Sequence, residues 1–311
     1  MTVPPALDPD ALLAKSTDYV RRALRRKDED DLDEYQLWAS LALELLGKAA
    51  LARAHPCLIA DPNHAPSLFA AAGRPYDTDI KTITAKTLFS RLRQMEKRFD
   101  ANVEKFCTGI SERRNAELHS GDVPFRAMKL ETWEGRFWHA ADLVLRMQDR
   151  SLADWLGTDR SGGPDEIVVH AREARRSAAE LRLESATTAF KDKKKAERDD
   201  LLAKAAVSPF FPNQKVFEEY YEGTWTTVCP ACGGRAYAGG DQIDEFILEP
   251  DHDYGAAWET VELIFSPQEF RCPVCDFHAE GFDELDAVGL AGEHHVTTER
   301  EMEYEPDYGN D

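Results

Sequence analysis

The sequence predicts a mainly α protein that ends in a small β-rich module, and three observations carry this prediction. Apolar residues recur at helical spacing through most of residues 9–148. Beyond residue 208, short stretches alternate between apolar and polar side chains, which is typical of strands. Four of the six cysteines lie in this second region, as two Cys-x-x-Cys pairs. The 311 residues are enough for two domains of ordinary size.

Five helices are predicted in a first domain at residues 1–158. Their apolar residues are three and four positions apart, and they cover residues 9–27, 33–54, 80–99, 101–119 and 130–148. Four prolines and a glycine interrupt residues 55–78, so this connection is predicted to be irregular, with a short helical piece near residues 68–72. Such helices pack most simply as an antiparallel bundle.

A linker and a helical arm are predicted at residues 159–207. The run Asp-Arg-Ser-Gly-Gly-Pro at residues 159–164 is typical of a linker. Residues 165–206 predict a long charged helix whose apolar stripe is thin and rich in alanine, which we interpret as a solvated arm or a short coiled coil. The lysine-rich run at residues 191–195 is interpreted as a solvated helix face, with contact to nucleic acid as the alternative.

The two cysteine pairs predict a metal site in a module at residues 208–292. Cys229 pairs with Cys232 and Cys272 pairs with Cys275, each with proline after the first cysteine. Two tight turns of this kind can present four thiolates to a tetrahedral zinc ion, as in a zinc ribbon. Because four sulfur ligands close the site, the zinc is predicted to be structural rather than catalytic.

Charge is unevenly distributed along the chain. The net charge is −20, and residues 241–311 contain 21 acidic residues against two basic ones. Phosphate groups should be repelled by this part, so any contact with nucleic acid is expected in the first 240 residues. Residues 293–311 show no apolar periodicity and are predicted to be a disordered acidic tail.

No stretch of the sequence predicts a membrane segment. The longest apolar runs fall short of the roughly 20 residues that a spanning helix needs. The first residues lack the basic and apolar regions of a signal peptide, so a cytoplasmic protein is expected.

Arg114, Asn115 and His119 lie together near the end of the fourth predicted helix. The apolar stripe of this helix continues in phase to Arg114 and Glu117 and then to Leu118, although a surface helix does not ordinarily place arginine in its buried phase. Arg114 and His119 are about 140° apart on an ideal helix. They converge only if the helix ends near His119, where Ser-Gly follows, or if an identical helix lies opposite across a symmetry axis.

The sequence Arg114-Asn115-x-x-x-His119 resembles the Arg-x4–6-His motif of HEPN domains, in which a polar residue usually follows the arginine. The helical setting, with the motif near the end of the penultimate long helix, is also similar to that family. The resemblance covers roughly half of the chain. Arg113 fits the loose spacing as well, and Arg114 is preferred because Asn115 follows it.

The resemblance implies a metal-independent endoribonuclease that acts as a homodimer, with two motifs in one composite cleft, and that serves as a toxin or a phage-defence effector. Arg114 would neutralise the scissile phosphate, His119 would act as general base or acid, and Asn115 would orient one of them or contact the phosphate. Arg113 would contact the RNA. Catalysis would proceed by attack of the RNA 2′-hydroxyl and would need no cofactor.

Two alternatives remain open from the sequence. Arg114 and Glu117 could form an internal ion pair while His119 caps the helix, which would make the motif structural. The protein would then be a non-catalytic dimeric scaffold whose zinc module and acidic tail recruit a protein partner, for example an antitoxin.

Overall fold

The computed structural model describes residues 3–75, 79–207, 217, 219–249 and 258–301. The chain divides into two compact units, residues 1–174 and residues 175–311. Helices dominate, and the strands of the second unit form one small antiparallel sheet. The mainly α prediction is therefore confirmed.

Within the described part of the chain, seven α-helices precede one long helix. Their bounds are α1 Pro9–Asp28, α2 Leu32–Ala54, α3 Ala65–Ala71, α4 Ala85–Met95, α5 Ala101–His119, α6 Leu130–Arg146 and α7 Leu152–Leu156, with a 3₁₀ turn at Pro56–Leu58. The predicted helices at 9–27, 33–54, 101–119 and 130–148 are confirmed to within two residues. The predicted irregular connection with a short helix is also observed, and its residues 76–78 lie outside the described part.

The third predicted helix, residues 80–99, is wrong in its extent. Helix α4 begins at Ala85, where the Thr84 hydroxyl accepts a hydrogen bond from the backbone N–H of Thr87. Thr82 lies before this cap and forms an isolated bridge with Ala60. Apolar residues such as Ile83 are buried here without being helical, so periodicity alone placed the helix start too early.

Helix α2 lies at the centre of the first unit, where it contacts α1, α4, α5 and α6. Most of its residues are small or apolar, so it can be buried on several sides rather than on one stripe. Buried Gln36 donates from Nε2 to the carbonyl oxygens of Phe125 and Met128, each at 3.3 Å. These bonds fix the segment between α5 and α6 against α2.

Helices α8 (Gly162–Asp192) and α9 (Lys195–Val207) replace the single helix predicted over residues 165–206. The predicted linker is partly wrong, because residues 162–164 already belong to α8. The division between the two units falls inside α8, after residue 174, and not at the predicted boundary of residue 158. None of the helices within the described ranges combines the length and the apolar character needed to cross a bilayer.

The interpretation of residues 165–206 as a solvated arm is wrong, because α8 and α9 pack against the core of the second unit. Ala179 and Phe190 of α8 are buried in the core of the second unit, and Leu201 of α9 packs against that core. Three arginines of α8 pair with acidic residues of a short helix, α10 (Phe282–Ala287). These pairs are Arg175 with Asp283 at 2.8 Å, Arg182 with Glu284 at 2.5 Å, and Arg176 with Asp286. The charged face of α8 therefore has an acidic counterpart that lies far away in sequence.

Among the described residues, five antiparallel strands form the sheet of the second unit. They are β1 Gly223–Val228, β2 Arg235–Glu249, β3 Trp258–Arg271, β4 His278–Glu280 and β5 His294–Glu301. The order is β1-β2-β3-β4, and β5 also pairs with β3. The stretches 245–249 and 260–265, predicted as strands, lie in β2 and β3. The β1–β2 turn and the β3–β4 turn lie at the same end of the sheet, because β1 and β3 both run antiparallel to β2.

The prediction of a disordered tail over residues 293–311 is wrong for its first part. Residues 294–301 form β5, which pairs with β3 from Phe265↔His294 to Trp258↔Glu301. Backbone pairing and charge contacts replace apolar periodicity here: Arg300 contacts Glu259 and Glu245, both at 2.6 Å. Residues 302–311 lie outside the described part of the chain.

Candidate functional site

Helix α5 carries the residues predicted to be catalytic, and its two ends are fixed by local hydrogen bonds. At its start, the Asp100 carboxylate accepts from the backbone N–H groups of Asn102 at 2.9 Å and Val103 at 3.0 Å. At its end, the Ser120 hydroxyl donates to the Ala116 carbonyl at 2.8 Å, and the backbone turns to an extended conformation. His119 is the last helical residue, as predicted.

Arg114 is held in place by two partners. Its Nη1 atom pairs with Glu44 Oε2 on α2, and its Nε atom donates to Asn115 Oδ1 at 3.1 Å. The Arg114 side chain is 11% exposed and that of Glu44 is 14% exposed, so the ion pair is largely shielded from water. The prediction that the buried phase of α5 reaches Arg114 is confirmed, but its extension to Leu118 is wrong, because Leu118 is 50% exposed.

Glu44 holds a second cation as well. Its Oε1 atom accepts from Lys48 Nζ at 2.8 Å, and Lys48 also donates to the Thr82 hydroxyl at 3.1 Å. Burial acts to raise the pKa of Glu44, but the charges and hydrogen bonds of Lys48 and Arg114 outweigh burial, so its pKa lies below the ordinary value. Glu44 is therefore a carboxylate at neutral pH and fixes the guanidinium from one side.

His119, Asn115 and Arg113 are exposed, in contrast to Arg114. Within the described part of the chain, the His119 ring makes no hydrogen bond or ion pair. Because α5 is helical up to His119, Arg114 and His119 point about 140° apart. Within the described residues no hydrogen bond or ion pair joins Arg114 to His119, and the two side chains lie on different faces of α5.

The alternative pairing of Arg114 with Glu117 is not what the structure contains. The partner of Arg114 is Glu44, while Glu117 Oε2 is buried and has no hydrogen-bond partner among the described residues. His119 does not cap the helix either, since Ser120 occupies the C-cap position. The motif arginine does take part in an internal ion pair, but with a residue of α2.

A groove of about 570 Å³ lies beside the motif, between α5 and α6. Four of its lining residues are basic and exposed: Lys105 and Arg113 from α5, Lys129 just before α6, and Arg136 from α6. None of the lining residues that the structure describes is acidic. This basic α5–α6 groove contrasts with the overall charge of −20.

The four cysteines of the second unit form one cluster. Their sulfur atoms all lie within 4.8 Å of one another, with Cys229 Sγ 3.7 Å from Cys275 Sγ and Cys232 Sγ 3.5 Å from Cys272 Sγ. A tetrahedral thiolate site requires four sulfur atoms converging on one point. The predicted convergence of both pairs is confirmed, and the cluster can hold a metal ion.

The two cysteine turns have the same backbone design. In the β1–β2 turn, the Cys229 N–H donates to the Gly234 carbonyl and the Gly233 N–H donates to the Cys229 carbonyl, both at 2.9 Å. In the β3–β4 turn, the Cys272 N–H donates to the Phe277 carbonyl at 2.9 Å and the Asp276 N–H donates to the Cys272 carbonyl at 3.0 Å. Gly233 and Asp276 both have positive φ, of 71° and 58°. This repetition explains how both turns present their sulfur atoms in the same way.

Gly234 is a position where the first turn tolerates no side chain. A Cβ atom there would lie 2.9 Å from Val274 Cγ2 and 3.3 Å from Cys232 Sγ. The neighbouring backbone N–H of Gly234 donates to Cys232 Sγ at 3.4 Å. Hydrogen bonds of this kind favour the thiolate form that binds metal ions.

The thiols also perturb one another. Hydrogen bonds from Cys272 and Cys275 lower the pKa of Cys229, while the bond with Cys229 raises the pKa of Cys272. A set of four thiols this close shares its protons until a cation replaces them.

Sequence reasoning missed Glu44, Lys48 and most of the basic groove. Glu44 and Lys48 are four residues apart, a spacing that indicates a helical pair, but no local pattern indicates that the pair faces Arg114. The cations of the groove lie on two helices and a loop, so their proximity follows only from the packing of α5 against α6.

Comparison with protein-family models, curated proteins and solved structures found no match. The catalytic roles of Arg114, Asn115 and His119 therefore stay predictions, and the case for them rests on the geometry of α5 and its surroundings.

Proposed function

We propose that this protein is a metal-independent endoribonuclease whose active site forms between two copies of α5. The observation that carries the proposal is the contrast between the two motif residues. Arg114 is fixed by Glu44 and Asn115, whereas His119 is exposed and unpaired among the described residues at the end of the same helix. A fixed cation and an exposed proton carrier are what phosphodiester cleavage requires.

In this mechanism, the N–H groups of Arg114 that Glu44 and Asn115 leave unused bind the scissile phosphate. One His119 removes the proton of the RNA 2′-hydroxyl, and the 2′-oxygen forms a bond to the adjacent phosphorus. The bond from phosphorus to the 5′-oxygen breaks, and the His119 that took up the proton gives it to that oxygen. The products are a 2′,3′-cyclic phosphate and a 5′-hydroxyl.

The first experiment is RNA cleavage with EDTA present, comparing wild type with Arg114→Gln and His119→Asn. His170→Asn is the matched control, because His170 is also an exposed helical histidine of the first unit. We expect cleavage with cyclic-phosphate ends for wild type and the control, and loss of cleavage for both motif variants. Cleavage that survives His119→Asn would contradict the proposal.

A mixing experiment tests the composite site. Because one chain points Arg114 and His119 apart, a heterodimer of Arg114→Gln and His119→Asn retains an intact arginine on one chain and an intact histidine on the other. We expect partial activity when the two inactive variants are mixed and allowed to exchange subunits. If a confirmed heterodimer shows no RNA cleavage, the active site cannot consist of one Arg114 from one chain and one His119 from the other.

The cysteine cluster is proposed to hold one structural zinc ion. The donor set is four thiolates, the set that closes a tetrahedral zinc site and leaves no position for water. The two turns with identical hydrogen bonds, Cys229–Gly234 and Cys272–Phe277, support a zinc ribbon whose long insert is the β2–β3 hairpin. The ion would join the β1–β2 turn to the β3–β4 turn at one end of the sheet and would take no part in RNA cleavage.

A non-catalytic scaffold is the second candidate, and two observations favour it. The buried pair of Arg114 and Glu44 gives the motif arginine a structural role. On β2, three consecutive apolar residues, Phe246, Ile247 and Leu248, are about half exposed in an acidic unit. In that case Arg114→Gln would lower stability without any RNA cleavage in the wild type to lose, and the cleavage assay separates the two functions.

A further inference from the structure

The basic α5–α6 groove brings four cations together beside one cavity of the first unit. Each wall contributes two cations: Lys105 and Arg113 on the α5 side, Lys129 and Arg136 on the α6 side. A ligand that runs between the helices would therefore meet positive charge on both sides. Such an arrangement suits a chain of phosphates better than a single anion.

The floor of the groove is apolar, whereas its rim is charged. Phe106, Ile110 and Trp133 line the groove and are at most 8% exposed, and all four cations are exposed. The Arg136 guanidinium lies 4.7 Å from the centroid of the Phe106 ring, so one cation is positioned over an aromatic face. An apolar floor with a basic rim matches single-stranded nucleic acid, which offers flat bases beside charged phosphates.

Trp133 supplies an independent observation. Its indole N–H is buried and has no hydrogen-bond acceptor among the described residues. Buried donors nearly always have an acceptor, so the Trp133 N–H is an unexplained polar group in a residue that lines the groove.

We propose that the α5–α6 groove binds the backbone of a single RNA strand and leads that strand to the motif on α5. Arg113 lines the groove and directly precedes Arg114, so the same turn of α5 connects the groove to the proposed cleavage site. This assignment rests on the proposed function for the identity of the ligand. It assigns binding to Lys105, Lys129 and Arg136, which lie outside the motif.

The test measures binding separately from cleavage. All measurements use the full chain carrying His119→Asn, so that the RNA stays intact if the proposed function is right, and a fluorescent single-stranded RNA as the probe. The groove variant is Lys105→Gln with Lys129→Gln; neither side chain forms an ion pair within the described ranges. The control is Arg21→Gln with Lys86→Gln, which removes the same charge from exposed sites outside the groove.

Counterion release sets the expected size of the effect. At 0.15 M salt, each phosphate contact to single-stranded nucleic acid is worth about fourfold in affinity, so losing two contacts should weaken binding about fifteenfold. The slope of log affinity against log salt should also become shallower by roughly 1.4. The control should bind within about twofold of the parent.

Four outcomes would overturn the assignment. The first two are an equal loss of RNA affinity in the groove variant and the control, and no loss of RNA affinity in the groove variant. The third is tighter binding of duplex RNA than of single-stranded RNA. The fourth is that inorganic polyphosphate of matched charge displaces the bound RNA as well as unlabelled RNA does. Failure of the groove and failure of the nuclease are distinguishable. If wild type cleaves RNA and the groove variant binds RNA as tightly as its parent, only the proposed role of the groove is wrong. If the groove variant alone loses RNA affinity and wild type cleaves no RNA, only the proposed nuclease function is wrong.

Discussion

Arg114 and Glu44 show how a single buried pair can serve a site and the fold together. The guanidinium gains a fixed orientation from Glu44, and Glu44 in turn is shielded and holds Lys48. A pair of this kind contributes little net stability over apolar packing, but removing one partner leaves a shielded charge without compensation. Substitutions at Arg114 therefore need a stability measurement beside every activity measurement.

The pH dependence of stability should report Glu44. Its pKa is lowered in the folded protein, so its contribution is present above the pKa of the unfolded chain and is lost as the pH falls through the folded pKa. In Glu44→Gln this ionisation is absent, and we expect a shallower fall of unfolding free energy below about pH 4.3 than in wild type. Urea unfolding of both proteins between neutral pH and the acid range measures this. Identical slopes would mean that Glu44 has the same pKa folded and unfolded.

Glu134 is a second buried carboxylate and is structural. It accepts from Tyr35 Oη at 2.7 Å, from Trp138 Nε1 at 3.4 Å and from Lys27. Burial and then the charge of Glu134 raise the pKa of Tyr35, so the phenol stays protonated and donates. The network links α1, α2 and α6 around one carboxylate.

Glu134→Ala should lower the free energy of unfolding by about 3 kcal/mol, because it leaves the Tyr35 and Trp138 donors buried without an acceptor. Chemical denaturation measures the loss. Glu112→Ala is the control, since Glu112 is exposed on α5 and should change stability by less than about 0.5 kcal/mol. A similar loss for both variants would show that the network contributes nothing specific.

At the scale of elements, β5 makes the first part of the acidic C-terminal region a strand of the sheet, so this part cannot be deleted as if it were a disordered tail. The strand pairs with eight consecutive residues of β3 and brings Arg300 to Glu245 and Glu259. Any truncation intended to remove acidic charge without damage to the sheet must therefore end after Glu301.

A pair of truncations tests this. A chain that ends at Glu301 keeps every described strand, and we expect its thermal stability to match that of the full chain. A chain that ends at Glu293 loses β5 and leaves residues 258–265 of β3 without a partner on one edge, which should cost roughly 2–4 kcal/mol from lost hydrogen bonds. Thermal unfolding and amide exchange at Val261 and Leu263 provide the measurement. Unchanged exchange in the shorter chain would mean that β5 does not protect β3.

For the whole molecule, the two units should respond differently to loss of metal. The first unit has its own core of aromatic and aliphatic residues, whereas Cys229 and Cys272 are themselves part of the core of the second unit. Structural zinc sites contribute directly to folding free energy. Loss of the metal should thus lower the stability of residues 175–301 and leave the stability of the first unit unchanged.

Cys272→Ser should abolish zinc binding and expose the second unit to protease. We expect about one zinc per chain in wild type and little in the variant, with cleavage by limited proteolysis confined to residues beyond 174. Cys57→Ser is the control, because Cys57 lies outside the cluster. Metal analysis and mass spectrometry of the fragments give the result. Full protection of the variant would show that the sheet folds without the ion.

Local patterns in the sequence were sufficient for part of this protein. Caps, prolines and apolar spacing determined the bounds of α1, α2, α5 and α6, because helix ends depend on neighbouring residues. The Cys-x-x-Cys spacing determined which four sulfur atoms would gather, because a tight turn fixes each pair. The same patterns placed Arg114 in the buried phase of α5.

Only the tertiary structure decided what those elements meet. Glu44 lies on α2, and its contact with Arg114 depends on how α2 and α5 pack rather than on either sequence alone. The arginines of α8 face α10, and β5 exists because β3 offers it an unpaired edge. Contacts between residues far apart in sequence leave no periodic pattern in the sequence. For this reason the charged residues of α8 indicate a solvated helix and those of β5 a disordered tail, although both sets form ion pairs with distant residues.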